Sequence, residues 1–168
     1  MVQLTTVYSF ILTEDITASA ARIWQALCDP TEVVRWDSGV AGPLDAPGDY
    51  PKAGQHVRWR YRHPLFHILH DWPQEVVAEQ KLHSLLAVGP FRFDETYILQ
   101  PSGAGCRLVV DIEVRAAIPM FGAIVERAYI GPVTRRTVAG SIRALKRHCE
   151  QRFEQLKTLE RGHEPRAD

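Results

Sequence analysis

Two hydrophobic periods meet in this sequence, and the point where one replaces the other restricts what the chain can fold into. From Gln55 the apolar and polar residues alternate: Val57, Trp59 and Tyr61 against Arg58, Arg60 and Arg62. That is the two-residue repeat of a half-buried strand. Further strands are expected at Ile68–Gln80, Leu82–Val88, Phe91–Gln100 and Cys106–Arg115, with a hairpin connection at Pro101–Gly105 and a turn or bulge at Gly89-Pro90. After Ala116 the repeat lengthens. Val138, Ile142, Leu145, Cys149, Phe153 and Leu156 fall three or four apart, with Arg143, Lys146, Arg147, Glu150 and Gln151 on the other side, the stripe of an amphipathic helix. A run of hairpin-linked strands followed by one long helix implies an α+β fold.

The N-terminal part supplies the remaining elements. Thr5–Ile16 reads as a strand with Tyr8, Phe10, Leu12 and Ile16 in one phase. Ser19–Cys28 reads as a helix whose stripe is Ala20, Ile23, Trp24 and Leu27. Asp29-Pro30-Thr31-Glu32 ends that helix and starts a short one ending near Trp36, with Asp29 as N-cap, Pro30 in the first turn and Glu32 placed as in a capping box. Asp37–Gln55 is rich in Gly, Pro and Asp and is expected to be mostly loop, with one short strand around Val40. A helix from Met120 to Leu159 would run about 60 Å, longer than a small sheet can cover, so a bend or break is expected near Gly131-Pro132. Residues 1–160 are read as a single domain, with a stop at Gly162 and a frayed tail over 161–168.

Composition narrows the functional classes. Twenty basic residues balance twenty acidic ones, so there is no global attraction to nucleic acid or to an anionic membrane. Cys28, Cys106 and Cys149 are widely spaced and read as buried free thiols in a reducing compartment, not as a zinc or redox pair. No leader pattern and no apolar run of about 20 residues is found, and a cytoplasmic, soluble protein is expected. Homo-oligomerisation stays open.

Particular residues then carry a resemblance. Ile16-x-Ala18 precedes Ile23-Trp24-x-x-Leu27-x-Asp29-Pro30 and Trp36. Later come Glu95-Thr96-Tyr97-x-Leu99-x-Pro101, Gly105, and a closing helix with Leu145-Lys146 and Glu150 four positions after the lysine. In this order they resemble the START-like, or helix-grip, superfamily (SRPBCC), in particular its polyketide cyclase/dehydrase and lipid-transport branch, over roughly Val7 to Phe153. The resemblance implies a curved antiparallel sheet gripping a long C-terminal helix around a deep apolar cavity. Members bind lipids, sterols, polyketides or plant metabolites, and some catalyse cyclisation or dehydration. No catalytic motif is common to the superfamily, so no active-site residue follows from it.

Strand phase selects the candidates. Phe91, Phe93, Tyr97 and Leu99 share a phase expected to face the cavity, together with Tyr8 and Phe10 from the first strand and Trp59 and Tyr61. Val138, Ile142 and Leu145 close the cavity from the helix, and Tyr129 and Trp72 are added to the expected ligand-binding residues. Glu95 lies in the inward phase too. A desolvated carboxylate there could give or take a proton, unless it pairs with an inward base, accepts backbone hydrogen bonds or is turned outward by a bulge. Ile68, His70, Trp72 and Gln74 are read as the inward phase of their strand, with Pro73 marking an edge or bulge. On that reading His70 and Glu95 form an acid–base pair suited to aldol-type cyclisation or dehydration, with Tyr61, Tyr97 or Tyr129 orienting a carbonyl or packing in the wall.

The run His63, His67, His70 and Asp71 lacks the spacing of a metal motif and is read as a surface cluster, so no metal and no cofactor is expected. The Arg58, Arg60 and Arg62 stripe is assigned to cross-strand ion pairing with Glu75, Glu79, Asp94, Asp111 and Glu113 on the outer face. There is no phosphate loop and no nucleophile elbow. The leading expectation is a protein that binds a small hydrophobic ligand, entering near the Asp37–Gln55 loop and the Ile118–Pro132 segment, whose apolar Ile118–Ile130 stretch would serve as a lid or pack on the sheet. The alternatives are a cyclase/dehydratase using Glu95 with His70 or a tyrosine, and a co-chaperone-like interaction module using the outer charged face.

Overall fold

The structure, a computed structural model, describes residues 7–63, 65–116 and 131–161, with side chains over 8–63, 65–116 and 131–151. Its elements follow in the order β1 Val7–Ile16, α1 Ala20–Cys28, α2 Pro30–Trp36, β2 Val40–Pro43, β3 Val57–Tyr61, β4 Ile68–Val77, β5 Lys81–Val88, β6 Phe91–Ser102, β7 Gly105–Ala116 and α3 Gly131–Arg161. The strands form one seven-stranded antiparallel sheet in the order β1-β7-β6-β5-β4-β3-β2. Each strand from β2 to β7 pairs with its neighbour in sequence, and β1 returns to lie against β7. With α3 packed across β1, α1 and α2, this is the expected helix-grip α+β arrangement.

Local chemistry accounts for the element ends. Ser19 Oγ accepts the Arg22 N–H at 3.2 Å and caps α1, and Asp29 Oδ1 accepts the Thr31 N–H at 2.8 Å to cap α2, with Pro30 in its first turn. Glu32 departs from the expected capping box. The Asp29 N–H donates to Gln25 O in the last turn of α1, while the Glu32 carboxylate lies 2.6 Å from Arg22 and 2.9 Å from His148 of α3. The carboxylate thus ties three helices together.

Alternation fixes the faces. Along β7, Cys106, Leu108, Val110, Ile112, Val114 and Ala116 are all buried. Opposite them, Ile142, Leu145 and Cys149 of α3 are buried, each burial of an Ile or Leu being worth about 1.5–3 kcal/mol. Val138 packs against this core while partly exposed. Phe153, Leu156, Gly162 and Tyr129 lie outside the described side chains, as does the Ile118–Ile130 stretch. Two glycines allow close approach: a Cβ at Gly105 would run into the Ile16 carbonyl, and one at Gly131 would come 2.6 Å from the Tyr8 ring. The three cysteines are buried and free, as expected.

Strand β4 corrects one expected phase. Leu69, Asp71 and Pro73 face inward, with Asp71 and Pro73 buried. His70 and Trp72 therefore lie on the outer face, where they stack with His56 at ring separations of 5.2 Å and 4.6 Å. The cause is a bulge between Pro73 and Glu75. One extra residue reverses the alternation, so Val76 beyond it faces the core while the even-numbered residues before it do not.

Candidate functional site

A cavity of about 530 Å3 opens between the sheet and the first turns of α3. Leu69, Leu86, Val88, Phe93 and Ile112 form its sheet wall. Val138 and Ala144, with the small polar Thr137 and Ser141, form its helix wall, and Trp36, Val40 and Tyr61 one side. Arg62, His63 and Arg136 are the basic groups on its lining. Behind it lies a recess of about 100 Å3 that shares Asp37, Glu95 and Tyr97 with the main cavity and adds Tyr50, Trp59, Asp71 and Ser84.

Glu95 stands where β6 phase puts it, paired across the sheet with Ser84 and Ile112, both on the inner face. Its Oε1 accepts a 2.8 Å hydrogen bond from the Tyr97 hydroxyl, the next inward residue of the strand. Burial pushes its carboxyl up to about 7; the Tyr97 bond opposes this, and Asp37 and Asp71 add to it by repulsion. A second pair lies beside the first: Asp71 Oδ2 accepts a 2.8 Å bond from the Tyr50 hydroxyl. Burial raises the Asp71 carboxyl as well, against the Tyr50 bond. Ser84 and the Trp59 ring lie near enough to favour its charge, yet Asp71 Oδ1 and Ser84 Oγ close no well-formed hydrogen bond. Asp37, which receives the Gly39 N–H at 2.8 Å, is also raised by burial. Tyr50 and Tyr97 are held well above the usual phenol range by burial and the adjoining carboxyls, so they stay protonated and act as donors.

The structure therefore brings together Glu95, Tyr97, Tyr61, Phe93 and Val138 on the cavity and Trp59 on the recess. It does not bring His70 to Glu95. His70 sits on the opposite face with its Nδ1 3.0 Å from His56 Nε2, and Trp72 is with it. Tyr8 packs on Gly131, Phe10 and Ile142 belong to the core, and Phe91 meets Phe66 edge-on. None of these four lines the cavity. Asp71, Ser84 and Leu86 were not among the residues expected from sequence. The alternation Leu82, Ser84, Leu86, Val88 carries the signal for two of them, whereas Asp71 was concealed by the β4 bulge.

The sequence profile of a family described as Polyketide cyclase / dehydrase and lipid transport matches residues 8–154. Solved structures share the fold at low identity. A structural-genomics protein from Chromobacterium violaceum is 17% identical over 85% of this chain and 97% of its own, with a TM-score of 0.68. The di-domain ARO/CYC StfQ from the steffimycin biosynthetic pathway is 15% identical, over 88% of this chain and 52% of its own, with a TM-score of 0.71. A Thalictrum norcoclaurine synthase point mutant in complex with a transition state analogue is 19% identical over 91% of this chain and 99% of its own, at 0.60. No curated protein matches the sequence.

Proposed function

Since this chain belongs to the polyketide cyclase / dehydrase and lipid transport family of the START-like superfamily, we propose that it binds a small hydrophobic molecule between the sheet and α3. The observation that carries this reading is the cavity of about 530 Å3 walled by Leu69, Leu86, Val88, Phe93, Ile112 and Val138. That volume and that mixture of apolar wall with few polar groups suit a small-molecule ligand. Titration with a neutral apolar fluorophore such as Nile red tests it, with Ala144→Trp as the variant that fills the cavity from the helix side. Saturable binding by the wild type that the tryptophan removes is expected. No binding by the correctly folded wild type refutes the reading.

A second reading, acid–base catalysis in the same cavity, is favoured by Glu95. Among the described residues no cation pairs with it, and a carboxyl pushed to about 7 is divided between its two forms at neutral pH. Ionised, it takes a proton from carbon beside a ligand carbonyl; protonated, it returns that proton to a β-hydroxyl leaving as water, so that an enone results. An aryl β-hydroxyketone whose elimination is followed by absorbance is the test. Turnover by wild type and none by Glu95→Gln, with binding retained, is the expected pattern. Equal rates in the two would remove Glu95 from the chemistry.

A further inference from the structure

We propose that the cavity takes a ligand carrying a protonated nitrogen at one end, with the nitrogen seated in the recess between Asp71 and Glu95 and the apolar body in the outer cavity. This rests on the hydrophobic-ligand reading above and adds the chemical class.

The recess gathers acidic groups with no base of its own among the described residues. Three carboxyl side chains reach it from three elements, Asp37 after α2, Asp71 from β4 and Glu95 from β6, and no Lys, Arg or His is among its described lining residues. Buried carboxylates normally find a cation in the protein. Here the nearby bases act from elsewhere: Arg62 on Asp37 from the outer cavity, and His56 on Asp71 from beyond the sheet.

Asp71 and Ser84 are each only 4% exposed, and both line the recess with an oxygen that has no partner, Oδ1 and Oγ respectively. The phenol donors of Tyr50 and Tyr97 are already given to Asp71 Oδ2 and Glu95 Oε1. The Ser84 hydroxyl and the Trp59 N–H also lie toward Asp71, but the lone pairs of three carboxyls outnumber these donors, so the remaining capacity is that of acceptors and calls for a donor from the ligand. An ammonium group supplies up to three N–H donors and the missing positive charge in a volume that a recess of about 100 Å3 can hold. A carbonyl end would need the carboxyls protonated, and a carboxylate end would meet three like charges.

The two kinds of ligand therefore respond oppositely to pH. Burial raises Asp37, Asp71 and Glu95, and an ammonium favours their ionised forms. Its binding tightens as pH rises through about 7 and releases protons below that. The other titratable groups facing the site from α1, the β2–β3 loop, β3 and β6 are Cys28, Tyr50, Tyr61 and Tyr97, all raised and so uncharged through this range. Arg62, His63 and, from α3, Arg136 face the ligand body in the outer cavity.

Calorimetric titration of the full chain with 4-phenylbutylamine, 4-phenylbutanol and 4-phenylbutyrate, at about pH 6 and about pH 8.5, tests the proposal. The amine is expected to bind at least about tenfold more tightly than the alcohol at the higher pH, with the butyrate weakest and the advantage shrinking at the lower. Asp71→Asn should reduce the amine's advantage over the alcohol at the higher pH. Should that variant misfold, the pH dependence of the wild type decides alone. If the alcohol matches or exceeds the amine at the higher pH, or if Nile red binds and the amine does not, the proposal is overturned and the hydrophobic-ligand reading stands. If neither Nile red nor any of the three binds, both fall.

Discussion

The Tyr97 hydroxyl donates a 2.8 Å hydrogen bond to Glu95, two residues back on the same face of β6. The pair is held by strand geometry, since successive inward side chains on a pleated strand stand side by side. It places a carboxyl and its donor on the wall shared by cavity and recess, and most of what can be tested in this protein radiates from it.

Glu95→Gln should flatten the pH dependence of stability. The folded carboxyl sits at about 7 against an ordinary 4.5, so the folded state keeps a proton that the unfolded chain has already lost. Its stabilising contribution is complete below 4.5 and is lost as pH rises through 7, a change on the order of 3 kcal/mol at most. Urea unfolding at about pH 5 and about pH 8 should show wild type losing more stability than the glutamine variant between the two. Parallel losses would mean that Glu95 ionises as it does in water.

Tyr97→Phe removes the donor that favours the charged carboxylate. The Glu95 carboxyl should then titrate higher still, because the hydrogen bond is the influence holding it down. Carbon-detected NMR titration of the Glu95 carboxyl in both proteins measures this. A midpoint that falls, or stays, contradicts the geometry.

His70→Ala should leave probe binding and any Glu95-dependent turnover unchanged within about twofold, because the imidazole stacks with His56 and Trp72 on the outer face. A large loss of either would restore the acid–base partnership that the strand phase rejects.

Glu32→Ala should destabilise by about 3–5 kcal/mol, since it strands the Arg22 guanidinium and His148 beside a helix junction where Glu32 itself is only 2% exposed. Burial pushes the Glu32 carboxyl up, but the bonds from His148 and Arg22 outweigh it and hold it below its usual value. Its contribution is therefore present above the ordinary carboxylate range and lost as pH falls through the folded value. Chemical denaturation at neutral pH reads the first effect; the acid limb of the stability curve reads the second. An alanine variant as stable as wild type would show the cluster to be neutral.

Much of this protein was legible residue by residue. In β6 the alternation from Phe91 to Leu99 runs unbroken, so Glu95 and Tyr97 could be assigned inward from spacing alone, and they are. In β4 the same rule failed at His70 and Trp72, because one bulge after Pro73 reverses the phase while leaving the strand's composition unchanged. The expected ligand set erred in another way. Phe10 and Ile142 do face inward, but they meet other side chains there instead of open space.

The amino-acid order by itself determined the element sequence, the long amphipathic C-terminal helix and the presence of an inward carboxylate, because each depends on local period, caps and turn residues. Only the tertiary structure decided what that carboxylate faces. Asp37, Asp71 and Glu95 are far apart in the chain, and their convergence on one recess with Tyr50 and Ser84 arises from strand register and a one-residue bulge. Register is set by pairing between strands, which no single strand's pattern contains.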